Sequence, residues 1–150
     1  MSLQEKLNED LKKFMKEKKE PALSTLRMLK SDIQYELTKT GSSSIPDDQV
    51  LQIIKKNISK RKDTALEYRK ANRNDLAEKE EVEANFLQDY LPPSLPLEEV
   101  ERIILSVINQ MGAKSPSEMG KVMGRVMAEL KGKNVEGSLV SELVKKNLSV

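Results

Sequence analysis

The sequence predicts an all-α protein, with an N-terminal domain of about four helices and a C-terminal three-helix bundle. Apolar residues recur at the three- and four-residue spacing that places them on one face of a helix. The composition is rich in helix formers, with 33% charged and only 3% aromatic residues. Three prolines fall within residues 92–96, where a helix cannot continue. We therefore expect a helical domain over residues 1–91, a proline-rich linker over 92–95 and a three-helix domain over 96–150.

Four helices are predicted in the N-terminal domain. Leucines at helical spacing mark the first, and Pro21 opens the second, because proline suits the first turn of a helix. The serine-rich stretch at 40–44 is a loop, and Asp47 and Asp48 favour the positive end of the third helix. The predicted ranges are 3–18, 21–39, 46–71 and 75–90. The apolar positions of the fourth helix are Leu76, Val82, Phe86, Leu87 and Tyr90.

Three further helices are predicted after the prolines. Ser115 caps the sixth helix of the chain, with Glu118 three residues later in the spacing of a capping box. Gly132 can take the left-handed conformation that commonly ends a helix. The predicted ranges are 97–111, 115–131 and 136–148.

The composition argues against several classes of catalytic and metal-binding protein. The chain has no Cys and no His, which leaves no thiolate zinc site, no cysteine nucleophile and no imidazole base. The stretch at 41–44 is only faintly similar to the serine-rich motif of amidases, and it lacks the further glycines and the lysine base. The acidic run at 78–83 is typical of a solvated helix face. We predict no catalytic residue, no metal and no cofactor.

Charge and hydropathy set expectations for location. The 26 basic and 24 acidic residues leave a net charge of +2, too small to indicate nucleic acid by itself. The longest uncharged stretch, Ile103–Ala113, is far shorter than the roughly 20 apolar residues that span a bilayer. The first residues form no apolar signal core. These observations predict a cytoplasmic protein with no membrane partner.

The third helix carries a concentration of positive charge. Residues 55–73 include eight basic and two acidic residues, and Lys55, Lys62, Arg69 and Arg73 fall on one stripe at 100° per residue. The following segment, 74–90, is acidic overall. Two interpretations remain open: the two segments offset each other's charge, or the stripe tracks phosphates. Arg61 lies on the apolar face and is expected to have a carboxylate partner.

The sixth helix combines glycines and cations in an unusual way. Gly120 and Gly124 lie at the edge of its apolar face, and glycine costs roughly 1 kcal/mol against alanine inside a helix. Lys121 and Arg125 lie just beyond them. The glycines predict either close packing of another helix backbone or a surface that admits a phosphate backbone. The apolar face itself consists of Met119, Val122, Met123, Val126, Met127 and Leu130.

Three groups of short motifs run through most of the chain. They are MGKVMG at 119–124 with LKGK at 130–133 and Gly137, YRKA at 68–71 with DLAEKE at 75–80, and YLP at 90–92. Together they resemble the signature of the GatB/YqeY family. One departure is NVE at 134–136, where relatives often carry a small residue and Asp before the glycine.

The resemblance implies both a fold and a function. Such proteins have an N-terminal helical domain and a C-terminal three-helix bundle of GatB/YqeY type. That bundle is similar to the tail of the B subunit of the amidotransferase that converts Glu-tRNA to Gln-tRNA, or Asp-tRNA to Asn-tRNA. In those proteins the tail engages the tRNA body. The family is often assigned carbon–nitrogen ligase activity with glutamine as amide donor, but the catalytic machinery lies outside the shared tail.

Two functions follow as hypotheses. The first is a non-catalytic tRNA-binding or amidotransferase-associated protein, with tRNA and a tRNA-processing or aminoacylation enzyme as partners. The alternative is a protein–protein adaptor that uses the Met-rich face and the acidic fourth helix. The candidate nucleic-acid-binding residues are Lys121, Arg125, Lys131, Lys133, Lys55, Lys62, Arg69 and Arg73. The glycines of the structural motif are Gly120, Gly124, Gly132 and Gly137.

Overall fold

Seven α-helices and one short 3₁₀ turn form the regular structure of residues 1–149, the part of the chain that the computed structural model describes. No strand occurs in this range, and Ser94 and Asn134 form an isolated bridge. The all-α prediction is confirmed. The helices group into two compact units that meet in sequence between Leu91 and Pro92.

The helices of the first unit are α1 (Leu3–Glu17), α2 (Ala22–Thr40), α3 (Asp47–Lys70) and α4 (Asn74–Gln88). Those of the second unit are α5 (Leu97–Met111), α6 (Met119–Glu129) and α7 (Gly137–Leu148), with the 3₁₀ turn Pro116–Glu118 leading into α6. Local chemistry explains several ends. Ser2 and Glu5 form a reciprocal capping box at the start of α1. Gly41 ends α2 with a φ of 68°, a conformation that favours glycine. Pro21 stands just before α2 rather than in its first turn.

The core of the first unit lies where α1, α2 and α3 bury their leucine and isoleucine faces. Leu29 on α2 and Ile54 on α3 are both almost completely buried. Helices α3 and α4 make the most extensive contact of any helix pair in the unit. That contact brings charged residues of the two helices together.

The buried face of α4 differs from the predicted one. Val82 is 52% exposed, whereas Ala77 and Ala84 are almost fully buried against the rest of the unit. At 100° per residue, Ala77, Ala84 and Leu87 fall on one side of α4, and Val82 falls on the opposite side. The assignment of Val82 to the apolar face was wrong for this reason.

Tyr90, which follows α4, is bonded to the first helix. Its hydroxyl donates to Oδ2 of Asp10 at 2.6 Å, and its ring makes an edge contact with Phe86, which in turn contacts Phe14. Burial raises the pKa of Tyr90 above its ordinary value of 10.0, and the hydrogen bond to Asp10 raises it further. The neutral phenol is therefore the form that the folded chain favours.

We expect Tyr90→Phe to lower the free energy of unfolding by about 1 kcal/mol at pH 7, because it removes one hydrogen bond to a carboxylate at a half-exposed position. A raised folded-state pKa contributes stability that is fully present below pH 10.0 and is lost as the pH rises beyond it. The gap between wild type and variant should therefore shrink between neutral pH and about pH 11. Urea unfolding at several pH values tests this, with Tyr35→Phe at an exposed position as control. A gap that grows at high pH contradicts the prediction.

The core of the second unit is built by the inner faces of α5, α6 and α7. The residues at its centre are fully buried valines and one isoleucine, namely Val100, Ile104, Val122, Val126, Val140 and Val144. Residues 92–95, predicted as a linker, are hydrogen-bonded to the loop before α7. The backbone N–H of Leu95 donates to the carbonyl of Asn134 at 2.9 Å, and the Asn134 side chain donates to the carbonyl of Pro92 at 2.8 Å.

Candidate nucleic-acid interface

The outer face of α6 carries exposed backbone flanked by exposed cations. Val122 and Val126 turn inward and are fully buried. A Cβ added at Gly120 or Gly124 would meet no atom within 4 Å. Close packing of another helix within residues 1–149 is therefore not the reason for these glycines, and that interpretation was wrong. Of the two alternatives predicted from the sequence, the open surface is the one that agrees with the structure.

Lys121 and Arg125 lie one turn apart on this open face. Both are exposed, and neither forms an ion pair with a carboxylate in the described part of the chain. Arg125 donates to the neutral Oε1 of Gln110 at 3.1 Å, so its charge is not offset. The nearby carboxylate of Glu118 accepts the backbone N–H groups of Lys114 and Ser115, which hold its pKa below the ordinary value. Glu118 is thus hydrogen-bonded within the turn that precedes α6, and the charge of Lys121 lowers its pKa further without forming a direct ion pair.

Lys131 and Lys133 lie in the loop that follows α6, and both are exposed. Gly132 between them has a φ of 79°, which turns the chain sharply. These two lysines place further positive charge in the loop beyond the end of α6. Gly137 is the first residue of α7 and also borders open space.

Two of the four residues of the predicted basic stripe are paired with neighbouring acidic residues. Arg69 makes two hydrogen bonds of 2.8 Å to the carboxylate of Glu81, and Arg73 pairs with Asp75. Lys55 is partly buried, and burial lowers its pKa. Lys62 is exposed and forms no ion pair within residues 1–149. The structure favours the charge-offset interpretation for Arg69 and Arg73, and a phosphate-binding role of Lys55 and Lys62 stays a prediction outside the candidate interface.

Arg61 and Glu83 form a buried ion pair, of which the sequence predicted only one side. The predicted carboxylate partner of Arg61 is confirmed: Nη1 bonds to Glu83, and it lies 3.3 Å from Oε2 of Glu80. Glu83 is only 6% exposed, so its assignment to a solvated face was wrong. The signal was available, since Glu80 and Glu83 precede the buried Leu87 at helical spacing.

Residues 1–149 contain no cluster of acidic side chains arranged to hold a metal ion. Within the same range, no helix combines the length and the apolar character needed to cross a membrane.

Comparison with known proteins relates the chain to one family over nearly its whole length. The family model described as Yqey-like protein matches residues 4–148. A protein of Pyrenophora tritici-repentis named altered inheritance of mitochondria protein 41, mitochondrial, is 32% identical over 93% of this chain and 77% of its own length. An uncharacterised protein of Schizosaccharomyces pombe is 40% identical over 61% of this chain and 73% of its own length.

A shorter match reaches a much larger protein. A glutamyl-tRNA(Gln) amidotransferase component of Thermococcus gammatolerans is 47% identical over 55 residues, which make up 34% of this chain and only 9% of that larger protein. The matched segment is thus a small part of the amidotransferase component.

The names of these relatives contradict the cytoplasmic location predicted from the sequence. Four of the matching proteins carry the word mitochondrial in their names. The prediction was wrong because the absence of a long apolar segment does not distinguish one aqueous compartment from another.

Proposed function

The chain belongs to the YqeY-like family, and on that premise we propose that it is a non-catalytic tRNA-binding accessory protein of the tRNA amidation machinery. The second unit contacts the tRNA body through α6 and the loop that follows it. The observation that carries the proposal is the pair Lys121 and Arg125, which are exposed beside open glycine backbone and form no direct ion pair within residues 1–149. The short similarity to a glutamyl-tRNA(Gln) amidotransferase component supports the choice of tRNA as the nucleic acid.

The chemistry of this edge suits phosphates rather than bases. Lys121 and Arg125 are one helical turn apart, so their charged groups can reach neighbouring phosphates. Gly120 and Gly124 have no side chains, and a sugar–phosphate backbone can therefore approach the helix closely. All five aromatic residues of the chain precede residue 91, which leaves none in the second unit to stack on a base. Binding should accordingly depend on salt and only weakly on nucleotide sequence.

We expect the double variant Lys121→Ala, Arg125→Ala to bind tRNA more weakly and to flatten the dependence of log affinity on log salt by about one to two units. Both side chains are exposed, so the helical circular dichroism signal should be unchanged. Filter binding over a range of salt concentrations measures the effect. The matched control is Lys12→Ala, Lys13→Ala, which removes the same charge from exposed positions of α1.

Three results would count against the proposal at this site. They are coincident salt curves for wild type and the double variant, an equal change in the control, and no retention of tRNA by wild type even at low salt. Each would mean that α6 does not supply the phosphate contacts.

A protein–protein adaptor is the second candidate, because Met127 on α6 and Leu105 on α5 are 42% and 52% exposed. The structure gives less support to a partner contact through the acidic residues of α4, because Glu80, Glu81 and Glu83 already pair with arginines of α3. A pull-down with and without RNase separates the two functions. A protein retained after RNase treatment favours the adaptor, whereas loss of all bound material favours tRNA.

A further inference from the structure

A cavity of about 620 Å³ lies in the first unit among α2, α3 and α4, far in sequence from the candidate interface. Its walls include the apolar side chains of Met28, Tyr35 and Ile53, and Met28 and Tyr35 are more than half exposed. Charged side chains of both signs line the remainder. Its volume lies within the range typical of small-molecule sites, roughly 300–1,000 Å³.

Arg61 lines this cavity, and one edge of its buried guanidinium has no oxygen partner. The side chain of Arg61 is 9% exposed, and its Nη1 atom is taken up by Glu83 and Glu80. Its Nη2 atom donates only to the sulfur of Met28 at 3.4 Å, and its Nε atom has no hydrogen-bond partner. A thioether is a weak acceptor. The Nε–Nη2 edge can present two parallel N–H groups, the geometry that binds both oxygens of a carboxylate.

A second buried polar group in the cavity lining is also unpaired. Thr25 is 1% exposed, and its hydroxyl has no hydrogen-bond partner. A helical threonine usually donates to the carbonyl four residues before it. Here the carbonyl of Pro21 accepts the backbone N–H of Thr25 and the hydroxyl of Ser24 instead. Buried polar groups are nearly always paired in native proteins, and these two groups on one cavity both have hydrogen-bonding capacity left for a ligand.

We propose that this cavity binds the carboxylate of a small organic acid. The carboxylate accepts the Nε–H and Nη2–H of Arg61 and the hydroxyl of Thr25, and the Met28 sulfur moves aside. Methionine is well suited to this, because its unbranched side chain is flexible and that of Met28 is largely solvent-exposed. The organic part of the ligand packs against Tyr35 and Ile53.

The surrounding charges favour a monoanion over a phosphate dianion. Glu80 and Glu83 occupy the opposite edge of Arg61, and they would repel a dianion more strongly than a single carboxylate. The remaining charged side chains of the lining also balance closely, and they are Lys56, Lys60 and Lys79 against Asp32 and Glu36. With four basic and four acidic residues in all, the lining has no surplus of positive charge to hold a dianion.

Calorimetric titration of the full chain tests the site, with benzoate as the carboxylate probe, benzamide as its neutral counterpart and inorganic phosphate as the dianion. We expect benzoate to bind with a dissociation constant of about 1 mM or lower. Benzamide should bind at least about tenfold more weakly than benzoate, because it has one acceptor oxygen instead of two and carries no charge. Phosphate should also bind more weakly than benzoate.

Thr25→Val separates ligand binding from folding. The substitution removes an unpaired hydroxyl, so the urea midpoint should stay the same or rise while benzoate affinity falls about tenfold. Thr38→Val is the matched control, since Thr38 lies exposed on the same helix and its hydroxyl bonds to the carbonyl of Gln34. It should leave benzoate affinity unchanged. Arg61→Lys keeps a positive charge but has no planar pair of N–H groups, so benzoate binding should be lost in a chain that is still helical.

The proposal is overturned by any of three results. The first is that wild type does not bind benzoate at a benzoate concentration several times the expected dissociation constant. The second is that benzamide binds as tightly as benzoate. The third is that Thr25→Val and Thr38→Val change the benzoate affinity equally.

Discussion

Replacing Arg61 with methionine is expected to lower the free energy of unfolding of the first unit by about 3–5 kcal/mol, because the buried carboxylate of Glu83 then loses its partner. The side chains of Arg61 and Glu83 are 9% and 8% exposed, so water cannot replace the lost ion pair. Urea unfolding followed by circular dichroism measures the change. The matched control is Arg69→Met on the same helix, whose ion pair with Glu81 is 41% exposed on both sides. We expect the control to cost about 1 kcal/mol or less.

The double variant Arg61→Met, Glu83→Gln should recover much of that loss, since it removes both buried charges together. Glu80 keeps its charge in that variant, and its side chain is 22% exposed and can reach water. Equal losses for Arg61→Met and Arg69→Met would contradict the prediction, as would a double variant that is less stable than Arg61→Met.

Ile104→Ala is expected to lower the free energy of unfolding of the second unit by about 2–5 kcal/mol, because it leaves a cavity at a fully buried position. A loss of this size is a large fraction of the stability of a small helical unit. Leu105→Ala is the matched control, since the neighbouring residue on α5 is 52% exposed and should cost only about 0.5 kcal/mol. Urea unfolding and hydrogen exchange at the amides of α5, α6 and α7 measure both variants. Similar exchange rates in the two variants would contradict the assignment of Ile104 to the core.

The helices of this protein could be predicted because their signals are local. Helix α5 begins and ends at the predicted residues, Leu97 and Met111, where a proline precedes it and Gly112 takes a left-handed conformation after it. The start of α6 was predicted too early, because the segment Pro116–Glu118 forms a 3₁₀ turn before the α-helix begins. Spacing of apolar residues identifies a helix without fixing its first turn, which depends on the hydrogen bonds made there.

The candidate interface could be predicted in part. The sequence indicated that Lys121 and Arg125 lie beside Gly120 and Gly124, since neighbours on a helix follow from its period. It left open whether the glycines face another helix or solvent, because that depends on which elements pack around α6. The structure places them on the open side.

The sequence by itself determined the helical class, the approximate helix ranges and the family, because each is written in short-range spacing or in contiguous motifs. Only the tertiary structure decided which side chains are buried and which charges meet. Val82 is exposed while Ala77 is buried, because the rest of the unit packs against the side of α4 that carries Ala77, Ala84 and Leu87. Glu83 is buried because Arg61, 22 positions earlier, comes to lie against it. Such contacts join residues that are distant in the chain, and their energies depend on the exclusion of water. A local sequence pattern predicts neither of these.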